Sequence, residues 1–123
     1  MTAVFHQWQI LEVHLDAING SDQVGRRAVV VISNDGFNEN VPYLTVLPIS
    51  TTPRAPAPSE VSLPAGLFAG GDKSTVMAHH IRTISEQSVS TPIGEIRDER
   101  LRREIIDAVL SHLGREVSTL ASR

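Results

Sequence analysis

The run Ala28-Val29-Val30-Val31-Ile32 constrains this chain more than any other stretch. Its β-branched residues favour a strand, and no polar side chain interrupts it, so both faces of that strand need cover. A lone strand cannot supply that. Neighbouring strands must flank the run, and a helix or a partner must cover the face that the sheet interior does not. A polar loop, Gly20-Ser21-Asp22-Gln23-Val24-Gly25, delivers Arg26 and Arg27 to the mouth of the strand, and Asn34-Asp35 stops it. Guanidinium groups on a rigid element suit phosphate, because their planar fork of donors matches phosphate oxygens. The plainer reading is a pair of surface arginines bridged to Asp16, Asp22 or Asp35. Strand parity points Arg26 and Arg27 to opposite faces, so only one of them serves a given site. Arg27 shares its face with Val29, Val31 and Ser33.

Around this run the pattern predicts short strands and a single closing helix. Gln9 to Leu15 alternates loosely and reads as a first strand, Asp16 to Gly25 as a loop, and Asp35 to Asn40 as one helical turn before Pro42. Tyr43 to Ile49 reads as a third strand, with Pro48 marking an edge or a bulge. Thr51 to Ser59 holds Pro53, Pro56 and Pro58 and cannot pair in a sheet, so it forms a loop. Val61 to Leu63 and Thr75 to Ile81 are further strands about a turn at Gly66 to Asp72. From Asp98 the period changes: Leu101, Ile105, Ala108, Val109 and Leu113 recur at helical spacing, with Asp98 as N-cap and Gly114 as stop. Several strands followed by one amphipathic helix predict a mainly β fold, a small antiparallel barrel with the helix packed across it.

Composition narrows the function classes. At 123 residues the chain reads as one domain, 1–123, and its 41% hydrophobic and 20% charged residues are ordinary for a soluble protein. No apolar stretch approaches the roughly 20 residues of a membrane span, and Met1 to Ile10 lacks the features of a secretory signal; a cytoplasmic protein with no membrane partner is expected. The chain has no cysteine, which removes disulfides and thiol chemistry, and a net charge of −3 argues against non-specific coating of nucleic acid. His79-His80 falls in the expected strand Thr75 to Ile81, where adjacent side chains diverge, so no metal or other cofactor is expected there. Imidazole remains either a hydrogen-bonded structural group or an acid–base group. Ser50 lacks a Gly-x-Ser-x-Gly setting and reads as a hydrogen-bonding hydroxyl. Gly66 to Gly71 lacks the Gly-Lys-Ser/Thr ending of a phosphate-binding loop. His6, His14 and His112 read as scattered histidines without partners.

Taken together, Leu15-Asp16, Gly20-Ser21-Asp22-Gln23, Gly25-Arg26-Arg27-Ala28 running into Val29 to Asp35, Phe37-Asn38, Pro48-Ile49-Ser50, Ile81-Arg82-Thr83 and Ile93-Gly94 resemble the MazF/PemK family of toxin endoribonucleases. The resemblance spans residues 9 to 114. It implies an SH3-like barrel of the MazF/Kid/CcdB type with a C-terminal helix, a homodimer, and a cognate antitoxin as partner, with DNA met only through the antitoxin complex. It also implies metal-independent cleavage of single-stranded mRNA, in which the 2′-hydroxyl attacks its own phosphodiester and leaves 2′,3′-cyclic phosphate and 5′-hydroxyl ends. By position, Arg27 matches the family's catalytic arginine, and Ser50 matches a hydroxyl residue that is usually threonine. His79-His80 stands where many members carry Asp-Gln, which makes His79 the expected base. Ser21, Gln23, Arg26, Thr51 and Arg54 are the expected RNA contacts. The family's Gly-Asp/Glu at the first strand is Trp8-Gln9 here, and its Arg-Pro is Arg27-Ala28.

Two other readings stand beside this one. A CcdB-like toxin that binds DNA gyrase shares the barrel and the Gly-Arg-Arg, but depends on a hydrophobic C-terminal tip where this chain ends Thr119-Leu120-Ala121-Ser122-Arg123. A catalytically inactive member would bind only antitoxin or nucleic acid, and the replacements at His79 and Ser50 keep that reading open.

Overall fold

The apolar run becomes β2 (Gly25–Val31), and it has the neighbours its burial requires. In a computed structural model that describes residues 4–15, 25–52, 55–68 and 71–115, β1 (Gln9–Leu15) pairs antiparallel with one edge of β2 and β3 (Tyr43–Ser50) with the other. The expected helical turn is α1 (Asp35–Asn40), capped by the Asn34 side chain, which accepts from the Phe37 amide. Then come β4 (Glu60–Leu63), β5 (Ser74–Met77), β6 (Arg82–Ser85), β7 (Val89–Glu95) and the long helix α2 (Glu99–His112). The sheet order is β4-β5-β3-β2-β1-β7, with β6 also on β3. This is a mainly antiparallel β fold with one long helix.

Both faces of β2 are covered, each by a different cluster. Val29 and Val31 pack with Leu11, Val13, Leu44, Val46 and Ile84. Val30 faces the other way, with Ile10, Leu47 and Ile49, under Leu101, Ile105 and Val109 of α2. Those helix residues recur every fourth position and form one stripe; burying each contributes roughly 1.5–3 kcal/mol. Asp98 caps α2 by accepting from the Arg100 and Leu101 amides, and Gly114 leaves it at a φ of 85°. Leu113, expected on the stripe, is instead 66% exposed at the C-cap, where the chain turns out of the helix.

Three expectations fail for reasons that lie in neighbouring strands. Thr75 to Ile81 is not one strand: pairing stops at Met77, a 3₁₀ turn spans Ala78–His80, and β6 resumes at Arg82. Pro48 accounts for the break. The carbonyl of Thr45 accepts from Ile32 at 2.9 Å, so the odd residues of β3 direct their backbone groups at β2 and the even ones at the opposite edge. Pro48 therefore presents its missing N–H to that edge, and β5 pairs with Ile49 and Ser50 while β6 pairs only from Val46 back. Pro48 itself is inside a central strand, opposite Val29, and marks neither an edge nor a bulge of β3. Last, the expected barrel is an open ladder. Between its outer strands, β4 and β7, the described residues offer one bridge, Phe68 to Gly94, just beyond the end of β4. Gly94 permits that approach, since a Cβ there would lie 2.4 Å from the Leu67 carbonyl oxygen.

β7 was not expected as a strand at all, because its residues are mostly exposed and include Pro92 and Gly94, which suits an outer strand. Trp8, just before β1, holds a φ of 77°. A bulky residue pays for that left-handed conformation with packing: Trp8 is 8% exposed, its backbone bonds to Val31 and Ile96, and Arg102 lies over its ring at 5.7 Å.

Candidate active site

Arg26 and Arg27 diverge as strand parity requires. Arg26 is opposite His14 and bridges to Glu12 at 3.8 Å, with a side chain 75% exposed. Glu12 occupies the diagonal position on β1; of the three expected aspartates, Asp16 and Asp22 lie outside the described residues, and Asp35 accepts from the Gln7 amide at 2.8 Å. Arg27 lies opposite Val13, on the face of Val29 and Val31. Its Nε is buried and has no hydrogen-bond partner among the described residues. Buried donors ordinarily have partners, so this nitrogen, on a half-buried guanidinium, is the outstanding polar anomaly on its face of the sheet among the described residues.

Ser50 stands beside it. The β2–β3 pairing ends with Ala28 opposite Ile49, and Arg27 and Ser50 are the next residue of each strand, so parity directs both side chains to the same face at the end of the ladder. The Ser50 Oγ accepts from the Thr52 amide at 3.2 Å, a bond that does not use its hydroxyl proton. On the other edge of β3, Ser50 is opposite Thr75, and Thr75 is opposite Ser62. Thr51 and Thr52 follow at the open end of β3 and line a cleft of about 500 Å³ with Ser62, Leu63, Pro64, Asp72, Lys73, Ser74 and Thr75.

His79 is held elsewhere. It sits on the 3₁₀ turn after β5, with its Nε2 at 3.9 Å from Glu60 Oε2, and its ring centroid is 4.3 Å from that of His80 and 6.1 Å from that of His112. His112 belongs to α2, which covers the face opposite Arg27, and its Nδ1 is 3.2 Å from the Ser59 hydroxyl. So His112 has partners after all, and His79 belongs to a corner of the fold rather than to the Arg27–Ser50 pair. Two strand spacings, about 10 Å, separate β2 from β5, and the turn lies further along. Among the described residues no group of three or more His, Cys, Asp or Glu side chains could hold a metal ion, and no helix is long and apolar enough to cross a membrane. Ser21, Gln23 and Arg54 lie outside the described residues.

Lys73 and Ser74 escaped the sequence reading. The signal was there in one respect: Lys73 is the chain's single lysine. Nothing in the sequence, however, brings it next to Thr51; the β4–β5 hairpin does.

Comparison with known proteins bears on this geometry. A model of the PemK-like, MazF-like toxin of type II toxin–antitoxin systems matches residues 6–115. Endoribonuclease EndoA of Bacillus subtilis is 32% identical over 88 residues, which cover 71% of this chain and 76% of that protein. Among solved structures, MazF from Deinococcus radiodurans superposes with a TM-score of 0.76 at 24% identity, covering 92% of this chain and 99% of that one. A MazE–MazF structure from the same organism gives 0.73 at 22% identity, over 94% of this chain and 100% of the other. With the family model spanning nearly all of its length, the chain belongs to the PemK-like, MazF-like toxins of type II toxin–antitoxin systems.

Proposed function

We propose that this protein is an endoribonuclease toxin that cleaves single-stranded RNA at the Arg27–Ser50 pair, and that a cognate antitoxin restrains it. One observation carries the reading: a buried guanidinium nitrogen with no partner among the described residues, on the same sheet face as the Ser50 hydroxyl, one step beyond the last β2–β3 pair. Such a pair suits a phosphodiester. As the 2′-hydroxyl attacks the adjacent phosphorus and the 5′-oxygen leaves, negative charge builds on the non-bridging oxygens, and a fixed cation with a hydroxyl donor stabilises it without reorganising. The 2′-hydroxyl proton passes to a base and the leaving 5′-oxygen takes one up, which yields a 2′,3′-cyclic phosphate and a 5′-hydroxyl. The reaction adds no water and needs no metal.

Arg27 and Ser50 serve the phosphoryl group. Arg26 faces away with Glu12 and contributes at most long-range attraction, while Thr51 lies where the RNA strand would pass Ser50. The placement of His79 against Glu60 and His112 gives it no contact with the pair, so this proposal assigns it no proton transfer. Relatives of similar fold were solved as complexes with antitoxin, including a mycobacterial endoribonuclease with its cognate antitoxin, and the partner expected here is of that kind. A homodimer is expected with it.

The test is incubation of the purified protein with mixed RNA in EDTA, followed by mapping of new 5′ ends. New 5′-hydroxyl ends that vanish in Arg27→Ala support the proposal. Intact RNA at high protein concentration would sink it, and inhibition of DNA gyrase by the same preparation would favour a CcdB-like toxin instead.

A further inference from the structure

The connection from Ser50 to β4 is tied near both of its ends by side chains, and the cleavage step leaves one of them unused. At the near end the Thr52 amide donates to Ser50 Oγ at 3.2 Å. At the far end stands Glu60, the first residue of β4, whose side chain is only 2% exposed. Its Oε1 accepts from the Ala57 amide at 2.9 Å, and the Glu60 amide donates back to the Ala57 carbonyl at 3.1 Å. A glutamate is almost never buried so fully without such partners.

The turn between Ala57 and Glu60 is held harder than a surface turn needs. Pro58 and Ser59 occupy its central positions, and Ser59 has a φ of 68°. Proline followed by a positive φ is the pattern of a type II turn, whose third position favours glycine or asparagine. Ser59 sits there instead, with its Oγ 3.2 Å from His112 Nδ1 of α2, and its carbonyl accepts from the Ala78 amide at 3.0 Å. Glu60 Oε2 lies 3.9 Å from His79 Nε2. The far end is thus fastened to β4, to α2 and to the 3₁₀ turn. Between the tied residues Thr52 and Ala57 the sequence has only four residues, two of them prolines, whose ring fixes φ. So short and stiff a span passes a displacement of Ala57 on to Thr52.

We infer that Glu60 is a positioning residue for the cleavage step: by holding Ala57 it keeps the Thr52 amide on Ser50 Oγ, and so directs the Ser50 hydroxyl proton at the phosphoryl oxygen. The Thr52 bond occupies one lone pair of that oxygen, which restricts where the O–H can point. Glu60 acts through the connection and not by contact, since Ser62, two residues further along β4, is the one that shares a cross-strand row with Thr75 and Ser50. The inference rests on the RNA-cleavage reading and adds to it a support for Ser50 from a corner of the fold that the Arg27–Ser50 pair does not reach.

The test is a double-mutant cycle on one fluorogenic RNA oligonucleotide, with kcat and KM measured for wild type, Glu60→Ala, Ser50→Ala and the two substitutions together. Glu60→Ala should lower kcat about threefold at unchanged KM, the worth of one modest hydrogen bond, and should cost nothing further once Ser50 is alanine. Glu60→Gln keeps an acceptor for the Ala57 amide and should keep the wild-type kcat. Equal losses in both backgrounds would mean a general defect and overturn the proposal, as would an unchanged kcat in Glu60→Ala or a Glu60→Gln enzyme as slow as it. Should Glu60→Ala not fold, Ala57→Pro removes the same bond from the exposed side and takes its place in the cycle, because Pro58 already restricts residue 57 to the extended region that proline adopts. Trypsin reads the anchor without RNA. Cleavage at Arg54–Ala55, the one tryptic bond in the sequence between Arg27 and Lys73, should quicken about threefold in the variant that loses the bond, and an unchanged rate overturns the anchor. If wild type cleaves no RNA, the cleavage reading has failed by itself, and trypsin alone decides whether Glu60 holds the connection.

Discussion

Arg27 and His79 are both candidate catalytic groups on the same sheet, and their surroundings differ in kind. Arg27 projects from a strand fixed on both edges and both faces, and its Nε has no partner among the described residues. His79 sits on a short turn among Glu60, His80 and His112, with its Nε2 3.9 Å from the Glu60 carboxylate, within ion-pair reach of an acid of its own corner. The contrast teaches where to look for chemistry: a rigid, unsatisfied group is held ready for a ligand, whereas a group already paired is more simply explained as holding a corner together.

The sharpest way to break this comparison is Arg27→Ala. Loss of a preorganised donor to a developing oxyanion costs on the order of 10²–10³-fold in rate, and that is the expected fall in initial cleavage rate. Arg27→Met should be equally inactive, yet its thermal midpoint should equal or exceed that of wild type, because it removes a buried unpaired donor and keeps the aliphatic bulk. A lower midpoint would show that the guanidinium has a structural partner. Next comes Ser50→Ala, for which about a tenfold rate loss is expected, with Ser50→Thr restoring most of it; equal losses in both would remove the hydroxyl from the account. Breaking the other side, His112→Ala takes away the Ser59 contact at α2 and should lower stability by about 0.5–1 kcal/mol in denaturant titration, with cleavage unchanged. The smallest effect is that of Arg26→Ala. An exposed pair such as Arg26–Glu12 should alter stability by no more than about 0.5 kcal/mol and leave cleavage within about twofold.

Legibility in the sequence followed locality. β2 and α2 announced themselves through an uninterrupted β-branched run and an apolar stripe at helical spacing capped by Asp98, both of which are properties of one segment. Arg27 was singled out by parity within one strand. The break at Ala78–His80 was not legible there, because its cause is the missing N–H of Pro48, some 30 residues earlier and on another strand. Continuing that strand through His79 misjudged its surroundings. Trp8 hid a left-handed position, since core packing and Arg102 make up for the strain. The Ser62, Lys73 and Ser74 cleft needs three separate segments brought together by the β4–β5 pairing, and no spacing in the sequence expresses that.

The account's central claim is that the reaction is carried on the Arg27 side of the sheet and not at the His79 corner. Initial rates on a single fluorogenic RNA oligonucleotide in EDTA, measured side by side for wild type, Arg27→Ala and His79→Ala at neutral pH, test this directly. The account predicts a fall of at least about 100-fold for Arg27→Ala and a rate within about threefold of wild type for His79→Ala, as suits a group that meets no substrate. Collapse of cleavage in His79→Ala while its folding is intact, or an active Arg27→Ala protein, would contradict it.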